Sequence, residues 1–419
     1  MRKGVTCTLS KIELLAPAGD FERLQAAVTY GADAVYMGGT AFGLRAAAKN
    51  FDSEQMSRAV EYAHSHGVKA YVTVNIFAHN DDIAQMPSYL TELAAIGADA
   101  LIISDPGVFD IAREVVPSME LHISTQANNT NYRSALFWAK QGAKRVILAR
   151  ELNLTEITEI ANKTDGIIGL EAFVHGSMCV AYSGRCLLSA YMNNRDANKG
   201  ECSNNCRFKY SLMEEMRPNE YFPIYEDENS RGSYILNSKD LCMIEYIPAM
   251  VAAGLCSLKI EGRMKTPYYV ATATAAYRQA IDDFFADPQN YESKKADYLA
   301  AVMKSANRDF STGFYMGRPD ENSQIFDGAT HKRTYDFVGI VRDYDAATSV
   351  VTVEQRNRFA VGDLVEFFCA SGEEFQQIVS QMYDTDGNNV DVARHAQQII
   401  KFAIDKPVAP LNMLRMKVK

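Results

Sequence analysis

Four stretches of the chain share one pattern: GADAVYMGG at 31–39, GADALIISD at 97–105, GAKRVILAR at 142–150 and the looser GLCSLKIEG at 254–262. In each stretch a glycine suits the end of a helix, and the apolar residues that follow suit a buried parallel strand. Similar apolar runs bring the number of predicted strands to eight. They are 12–16, 34–38, 69–74, 100–104, 120–124, 145–149, 168–174 and 257–261.

Helical patterns separate most of these strands, including 21–30, 53–66 and 89–96. Eight strands that alternate with helices predict an α/β fold, a (β/α)8 barrel of the TIM type. An open doubly wound sheet is the alternative, but it would be expected to carry a glycine-rich phosphate turn after its first strand. Here the first strand runs into PAGD at 17–20, which lacks that motif. We therefore favour the barrel.

The pattern changes after the eighth predicted strand. From about residue 333, runs of period two such as DFVGIVRDYD and TSVVTVEQR indicate short antiparallel strands. We predict two domains: a barrel over 1–332 with a cysteine-rich insertion at about 176–242, and a small C-terminal all-β barrel over 333–419. The insertion separates the seventh and eighth strands of the predicted barrel.

Composition limits the kind of protein. Hydrophobic residues make up 47% of the 419 residues and charged residues 23%, which excludes a mainly disordered chain. The net charge of −9 argues against sequence-blind binding of polyanions by the whole surface. No apolar run approaches the roughly 20 residues of a membrane span, and no signal-peptide pattern is present at the start. We expect a cytoplasmic protein that does not bind membranes.

Four of the eight cysteines crowd one segment. Cys179, Cys186, Cys202 and Cys206 lie among glycines and asparagines, so loop backbone could direct all four thiols at one centre. Disulfides are not expected in a reducing compartment. A [4Fe-4S] cluster suits this spacing better than structural zinc, which usually shows two tight CxxC knuckles. Zinc and unligated thiols remain as alternatives, and Cys242 could replace one of the four ligands.

The same segment resembles a known family. EAFVHGSMCVAYSGRCLLS at 171–189 matches the signature of peptidase family U32 at every specified position. ELLAPAG at 13–19 and LKIEGRMK at 258–265 match as well, and the resemblance covers the full chain. The family is named for collagenase-like proteases. Other members are oxygen-independent hydroxylation proteins with a four-cysteine iron–sulfur cluster, acting on the wobble uridine of tRNA, a cytidine of large-subunit ribosomal RNA, or ubiquinone.

Within the family the chain is most similar to the members that form 5-hydroxyuridine at the tRNA wobble position with prephenate as co-substrate. RDANKGECSNNCR at 195–207 and the single appended β-domain carry this similarity. The resemblance implies a [4Fe-4S] cluster on Cys179, Cys186 and Cys202, with Cys206 or Cys242 as the fourth ligand. It also implies tRNA as the macromolecular partner and a paralogous family member as a candidate second subunit, and it leaves the electron donor unknown.

Candidate site residues follow from the barrel and from the resemblance, because the carboxyl ends of barrel strands form the active-site face. Prephenate is a dicarboxylate, which guanidinium and ammonium groups bind well. The residues expected to bind it are Arg45, Arg150, Arg185, Lys259 and Lys265. The candidate catalytic residues are His175, Glu171 and Arg263. Strand alternation places Lys259 and Glu261 on one face, which predicts an ion pair between them at the barrel mouth.

A peptidase is the main alternative function. The sequence contains neither the HExxH zinc motif nor the GxSxG nucleophile elbow. His175 lies four residues before Cys179 and could act as a base, but four clustered thiols suit cluster ligation better than one Cys–His pair. A non-catalytic subunit that supports a partner enzyme is another alternative, and so is a hydroxylase of ribosomal RNA or of a quinone precursor. An RNA-binding face would use Tyr191 and Arg195, which flank the cysteines.

Overall fold

The computed structural model describes residues 12–43, 50–179, 186–195, 197, 201–207, 211–213, 216, 221–223, 238–319 and 334–418. Two residues expected to bind prephenate, Arg45 and Arg185, lie outside this part of the chain. The described helices include none that is both long and apolar enough to cross a membrane.

Twelve described strands precede residue 320. In chain order they are β1 (Glu13–Pro17), β2 (Ala34–Gly38), β3 (Lys69–Val74), β4 (Ala100–Ile103), β5 (Glu120–Ile123), β6 (Arg145–Ile147), β7 (Gly169–Gly176), β8 (Ser211–Met213), β9 (Tyr221–Pro223), β10 (Asp240–Cys242), β11 (Ser257–Ile260) and β12 (Phe310–Ser311). Strands β1 to β7 pair in parallel, each with the next, and β11 pairs with both β7 and β1. The ring is therefore closed, and the predicted TIM-type barrel is confirmed, with all eight strands within two residues of the expected bounds.

The helices that alternate with these strands cover the barrel. They are α1 (Phe21–Thr29), α2 (Ser53–Ser65), α3 (Asn80–Ile83), α4 (Met86–Ile96), α5 (Pro106–Val115), α6 (Tyr132–Gln141), α7 (Leu154–Thr164), α8 (Leu188–Asn193), α9 (Ile247–Ala252), α10 (Pro267–Ala286), α11 (Pro288–Ser293) and α12 (Lys295–Met303). Gly97 and Gly142 end α4 and α6 with φ of 91° and 103°, a left-handed conformation that favours glycine. Two of the four repeated glycines are therefore helix C-caps, as predicted, whereas Gly31 and Gly254, also left-handed, directly follow the cap residues Tyr30 and Ala253.

The C-terminal part of the chain is all β, as predicted. Its strands are β13 (Tyr335–Asp345), β14 (Val350–Gln355), β15 (Phe359–Ala360), β16 (Leu364–Phe368), β17 (Glu374–Ile378), β18 (Val392–Ala393), β19 (Ile399–Ala403) and β20 (Met413–Lys417). Six of them form an antiparallel sheet in the order β17-β16-β20-β13-β14-β19, and β15 pairs with β18. This sheet covers its own apolar core, which includes Val351, Phe367 and Phe402.

The barrel and the β-sheet domain are packed against each other. Phe368 and Met413 belong to the apolar core of the barrel. The ring of Tyr30, the residue after α1, stacks on Phe368 at 4.9 Å, and its hydroxyl donates to the Phe368 carbonyl at 2.9 Å. Burying two large apolar side chains across the contact is worth about 1.5–3 kcal/mol each. The β-sheet domain is thus held at a defined position beside the barrel.

A group of charges lies in the same contact, and we call it the interface cluster: Arg415, Glu366, Glu374 and Lys304. Arg415 is 1% exposed, and its guanidinium bonds Glu366 and lies 2.6 Å from Glu374. Lys304 at the end of α12 lies 2.6 Å from Glu374 and 3.2 Å from Glu366. Two acids and two bases thus neutralise one another across the contact.

Candidate functional site

A cavity of about 170 Å³ lies at the carboxyl ends of the barrel strands. Its floor comes from the strand ends and the loops that follow them, and one wall comes from the segment between β7 and β10. In a TIM-type barrel this face carries the active site. The cavity is therefore the candidate functional site.

The four clustered cysteines all line this cavity. Cys179 and Cys202 are exposed, whereas Cys186 and Cys206 are partly covered, and none of the described cysteines forms a disulfide. Within the described residues, no three His, Cys, Asp or Glu side chains are close enough to hold one metal ion. Four thiols on one wall are a donor set that suits an iron–sulfur cluster or a zinc ion.

Cys242, the alternative fourth ligand, lies elsewhere. It belongs to β10, is 7% exposed, and its sulfur is 3.8 Å from the Tyr277 hydroxyl. Burial raises the pKa of its thiol to about 11, which disfavours the thiolate that a metal needs. Because Cys206 lines the cavity and Cys242 does not, the geometry favours Cys206.

Arg150 follows β6 and forms part of the cavity floor. One of its terminal nitrogens donates to the Ser177 carbonyl at 3.0 Å, and its guanidinium lies 4.0 Å from the centre of the Phe173 ring. The other terminal nitrogen is 3.6 Å from Glu261. Its Nε is buried and has no hydrogen-bond partner in the described structure. A buried donor of this kind favours an acceptor brought by a ligand.

Arg263 follows β11, is buried, and lines the same cavity as Arg150. Its Nη1 donates to the Thr73 hydroxyl at 3.1 Å. Two glycines make room for it. A Cβ on Gly38 would lie 2.2 Å from Nη1, and a Cβ on Gly19 would lie 2.0 Å from the Arg263 carbonyl oxygen. The end of β2 and the turn after β1 must therefore present bare backbone to this arginine.

Beneath the floor lies a second group of charges, which we call the barrel cluster: Glu13, Arg145, Glu171 and Lys259. Arg145 bonds Glu13 and donates to Glu171 at 2.9 Å, and Lys259 lies 3.2 Å from Glu171. Burial would raise the pKa of Glu171, but Lys259 and Arg145 reverse that effect and lower it to about 2. Glu171 is therefore a buried carboxylate that does not line the cavity, whereas Lys259 does.

The predicted ion pair between Lys259 and Glu261 is replaced by two others. Both side chains line the cavity, as their alternation along the strand suggested. Lys259 instead pairs with Glu171, and Glu261 pairs with Arg150. The reason is that neighbouring strands bring the partners: Glu171 of β7 lies 3.2 Å from the Lys259 ammonium, and Arg150, which follows β6, lies 3.6 Å from Glu261.

His175 lies outside the cavity lining. The register between β11 and β7 shifts by one residue: Lys259 is opposite Phe173, but Ile260 is opposite His175. The shift directs His175 toward Tyr269, Tyr277 and Phe310, whose rings lie within 5.7 Å. Burial lowers its pKa to about 4, and neither ring nitrogen has a hydrogen-bond partner among the described residues. His175 is therefore a neutral imidazole at neutral pH, behind the cavity wall.

Lys265 also lies outside the cavity lining. Its ammonium is 3.6 Å from Asp240 and 5.2 Å from the centre of the Tyr269 ring. Of the predicted anion-binding residues, Arg150 and Lys259 thus meet in the cavity, joined by Arg263 from the predicted catalytic set. Tyr191, on the other side of the cysteines, is 86% exposed and available for stacking.

Sequence reasoning missed Arg145 and Glu13 as partners in the barrel cluster. A usable signal was present, because Glu13, Arg145, Glu171 and Lys259 all stand within predicted buried strands. Charged residues at such positions are almost never buried unless they are paired. Two acids and two bases in four strands should therefore have suggested one neutral network.

Comparisons with known proteins agree with this architecture. The family model described as peptidase family U32 matches residues 19–325, and the C-terminal domain model of that family matches 333–415. A tRNA hydroxylation protein P1 of Bacillus subtilis (strain 168) is 45% identical over 97% of this chain and 94% of its own length. A tRNA hydroxylation protein P of Escherichia coli (strain K12) is 37% identical over 86% and 87%.

A third relative has a different named substrate. It is a 23S rRNA 5-hydroxycytidine synthase of Escherichia coli (strain K12), 38% identical over 66% of this chain and 40% of its own length. The family models together span most of the chain, and the first two relatives match it nearly end to end. The chain belongs to peptidase family U32.

Proposed function

We propose that this chain is an RNA-modifying hydroxylase that forms 5-hydroxyuridine at the wobble position of tRNA, with prephenate as co-substrate and a [4Fe-4S] cluster. The observation that carries the proposal is one cavity lined by four cysteines and three cationic side chains. The likeness to tRNA hydroxylation protein P1 over 97% of the chain supports tRNA as the substrate.

Cys179, Cys186, Cys202 and Cys206 would hold the cluster as thiolates. When bound, such a four-cysteine cluster supplies one-electron transfer. Cys179 and Cys202 are exposed, so a redox partner can approach this wall of the cavity.

The floor suits a small anion. Arg150, Arg263 and Lys259 bring three positive charges, whereas Glu261 and Glu171, the partner of Lys259, bring two negative charges. A bound carboxylate would therefore neutralise the remaining charge. Each charge-assisted hydrogen bond from a buried guanidinium is worth about 1.5–3 kcal/mol.

The size of the cavity determines which of the two substrates can be enclosed. At about 170 Å³ it is smaller than the roughly 300–1,000 Å³ of sites that enclose drug-sized molecules. A small acid can be enclosed, whereas tRNA can present only part of a nucleotide at the rim. Tyr191 is exposed on α8, the helix whose Leu188 and Ser189 line the cavity, and offers a ring on which a base can stack.

The test combines a tRNA measurement with a metal measurement. A strain that lacks this gene and its paralogues is complemented with wild type, with Cys186→Ser, or with Cys256→Ser as the matched control. Cys256 donates to the Leu170 carbonyl at 3.2 Å and does not line the cavity. Mass spectrometry of tRNA and 23S rRNA nucleosides then identifies the modified base.

We expect wild type and Cys256→Ser to restore 5-hydroxyuridine in tRNA, and Cys186→Ser to fail. Anaerobically purified wild type should contain iron and sulfide in equal amounts, and Cys186→Ser should lose both. Restoration of a hydroxycytidine in ribosomal RNA alone would replace the tRNA substrate. Full 5-hydroxyuridine in the Cys186→Ser strain would contradict the role of the cluster.

The name of the family makes a peptidase the second candidate. The described residues do not support a Cys–His pair, because His175 lies behind the wall that the four thiols line. Hydrolysis of gelatin by the cysteine-substituted variants would nevertheless establish that activity. Copurification with a second family member would favour a two-subunit hydroxylase.

A further inference from the structure

Lys259 is the only primary amine among the described residues that line the cavity. It projects from β11 and is 4% exposed. Its ammonium lies 4.3 Å from the centre of the Tyr36 ring and 5.5 Å from that of Phe173. The amine is thus held by two rings at the floor of a site that otherwise presents guanidinium groups.

The surroundings of Lys259 favour a reactive amine. Burial lowers the pKa of Lys259, and the carboxylate of Glu171 opposes this only in part. Glu171 is shared, because Arg145 donates to it at 2.9 Å. Arg150 and Arg263 line the same cavity. Desolvation and neighbouring cations are the conditions under which enzymes use lysine as a nucleophile toward carbonyl groups.

We propose that Lys259 forms an imine with the keto carbon of a 2-oxo acid whose carboxylates are bound by Arg150 and Arg263. This inference rests on the proposed function, since prephenate is a 2-oxo acid with a second carboxylate. The imine would add a covalent bond to the ionic contacts between the acid and the two arginines.

The step balances without an oxidant or a reductant. The Lys259 ammonium gives one proton to the keto oxygen, and the neutral nitrogen attacks the keto carbon. A C–N bond forms while the carbonyl π electrons move to oxygen, giving a carbinolamine. A second proton passes from the nitrogen to the hydroxyl oxygen, the C–O bond breaks, and water leaves. The sum is ammonium plus ketone to iminium plus water.

The net charge of the barrel cluster is unchanged by this step. The iminium carries the same single positive charge as the ammonium, so its pair with Glu171 is kept. Arg145 also remains on Glu171 throughout. No buried carboxylate is left without a cation, which would otherwise be strongly destabilising. The iminium fixes the acid at the floor and withdraws electrons from the carbon to which it is attached.

Borohydride trapping tests the proposal. The anaerobically purified protein with its cluster is incubated with prephenate and sodium borohydride, and its intact mass is measured. An imine reduced in this way adds the mass of the acid less one oxygen atom. Peptide mapping then locates the modified lysine. Malate, a dicarboxylate without a keto group, is the ligand control.

We expect the adduct with prephenate but not with malate, and on Lys259. Lys259→Arg should lose it, because arginine keeps the positive charge but does not form a reducible imine. Lys69→Arg should keep it, because Lys69 is exposed at the amino end of β3, opposite the cavity.

An adduct on other lysines, or one that persists in Lys259→Arg, would overturn the proposal. If Lys259→Arg does not fold, the peptide map of the wild type decides alone. The same wild-type sample is assayed for 5-hydroxyuridine formation. Product without any adduct would reject the imine while leaving the proposed function intact, whereas adduct without product would support the imine and reject the tRNA reaction.

Discussion

The barrel cluster and the interface cluster contain the same kinds of groups, two acids and two bases, in different surroundings. The interface cluster is closed at its centre, since Arg415 is almost fully buried between Glu366 and Glu374, whereas Lys304 at its edge is partly exposed and lines another cavity. The barrel cluster is open at Lys259, which is buried and lines the same cavity as the four cysteines. A charge that is sealed inside such a network contributes to the fold alone. The same kind of charge becomes available for chemistry when it lines a site that can hold a ligand.

The largest expected effect is on the closed cluster. Arg415→Met leaves Glu366 buried without its main cation, so the free energy of unfolding should fall by about 3–5 kcal/mol. Urea denaturation measures this fall. Lys406→Met is the control, because its pair with Glu373 is half exposed and worth at most about 1 kcal/mol. A loss in Arg415→Met no larger than in the control would show that the interface cluster is not stabilising.

The next largest effect is expected at Arg263, which lines the same cavity as Lys259. Arg263→Met removes buried hydrogen bonds to a carboxylate worth about 3 kcal/mol, so KM for prephenate should rise roughly 100-fold. Arg263→Lys should not restore binding, because an ammonium cannot reproduce the planar fork. Arg113→Met, on the exposed face of α5, is the control. An unchanged KM in a folded Arg263→Met protein would place the anion elsewhere.

A smaller effect concerns His175, which is buried without joining either cluster. Its folded pKa of about 4 lies below the ordinary 6.5, so the unfolded chain binds the proton more tightly. Its contribution is fully present above pH 6.5 and is lost as the pH falls from 6.5 toward 4. About 2 kcal/mol should be lost by pH 5.

His175→Phe should remove this dependence. The test compares urea denaturation of wild type and variant at pH 7.5 and pH 5. The variant should gain relative to wild type at the lower pH, while His395→Phe, at an exposed position, should behave like wild type. Equal losses in wild type and His175→Phe would mean that the imidazole is protonated in the folded protein.

The smallest effect is expected at Gly38, which leaves room for the Arg263 guanidinium in the cavity lining. Gly38→Ala puts a methyl group 2.2 Å from Arg263 Nη1, so the guanidinium must move. KM for prephenate should rise roughly tenfold, equivalent to about 1.4 kcal/mol. Gly43→Ala, whose added Cβ would meet nothing closer than 3.6 Å, should be neutral. Equal KM values in the two variants would show that Arg263 tolerates the shift.

Much of the barrel could be predicted from sequence because strands buried on both faces are continuous apolar runs. All five residues of β2 are buried, for example, and the run at 34–38 was recognisable on that ground. The glycine C-caps marked where preceding helices end. Apolar runs and glycine C-caps are both local features of the sequence, so they can be recognised without knowledge of the tertiary structure.

The site was less predictable because its geometry depends on contacts between strands. Alternation correctly put Lys259 and Glu261 on one face, but it could not say which carboxylate from β7 lies nearest. The register shift that turns His175 away from the cavity is a property of two strands together. Cys206 and Cys242 could not be separated either, because their distance from the other thiols depends on how β10 pairs with β7.

Phe368 and Met413 lie after the point where the family's second model begins, yet they pack in the barrel core. Exchange of the β-sheet domain between proteins is therefore constrained by Tyr30, the residue after α1, whose ring stacks on Phe368. A chimera that takes only the C-terminal domain from another family member would pair a barrel and a β-sheet domain whose contacting apolar side chains come from different proteins. Successful chimeras should be those in which α1 and the β-sheet domain come from the same parent.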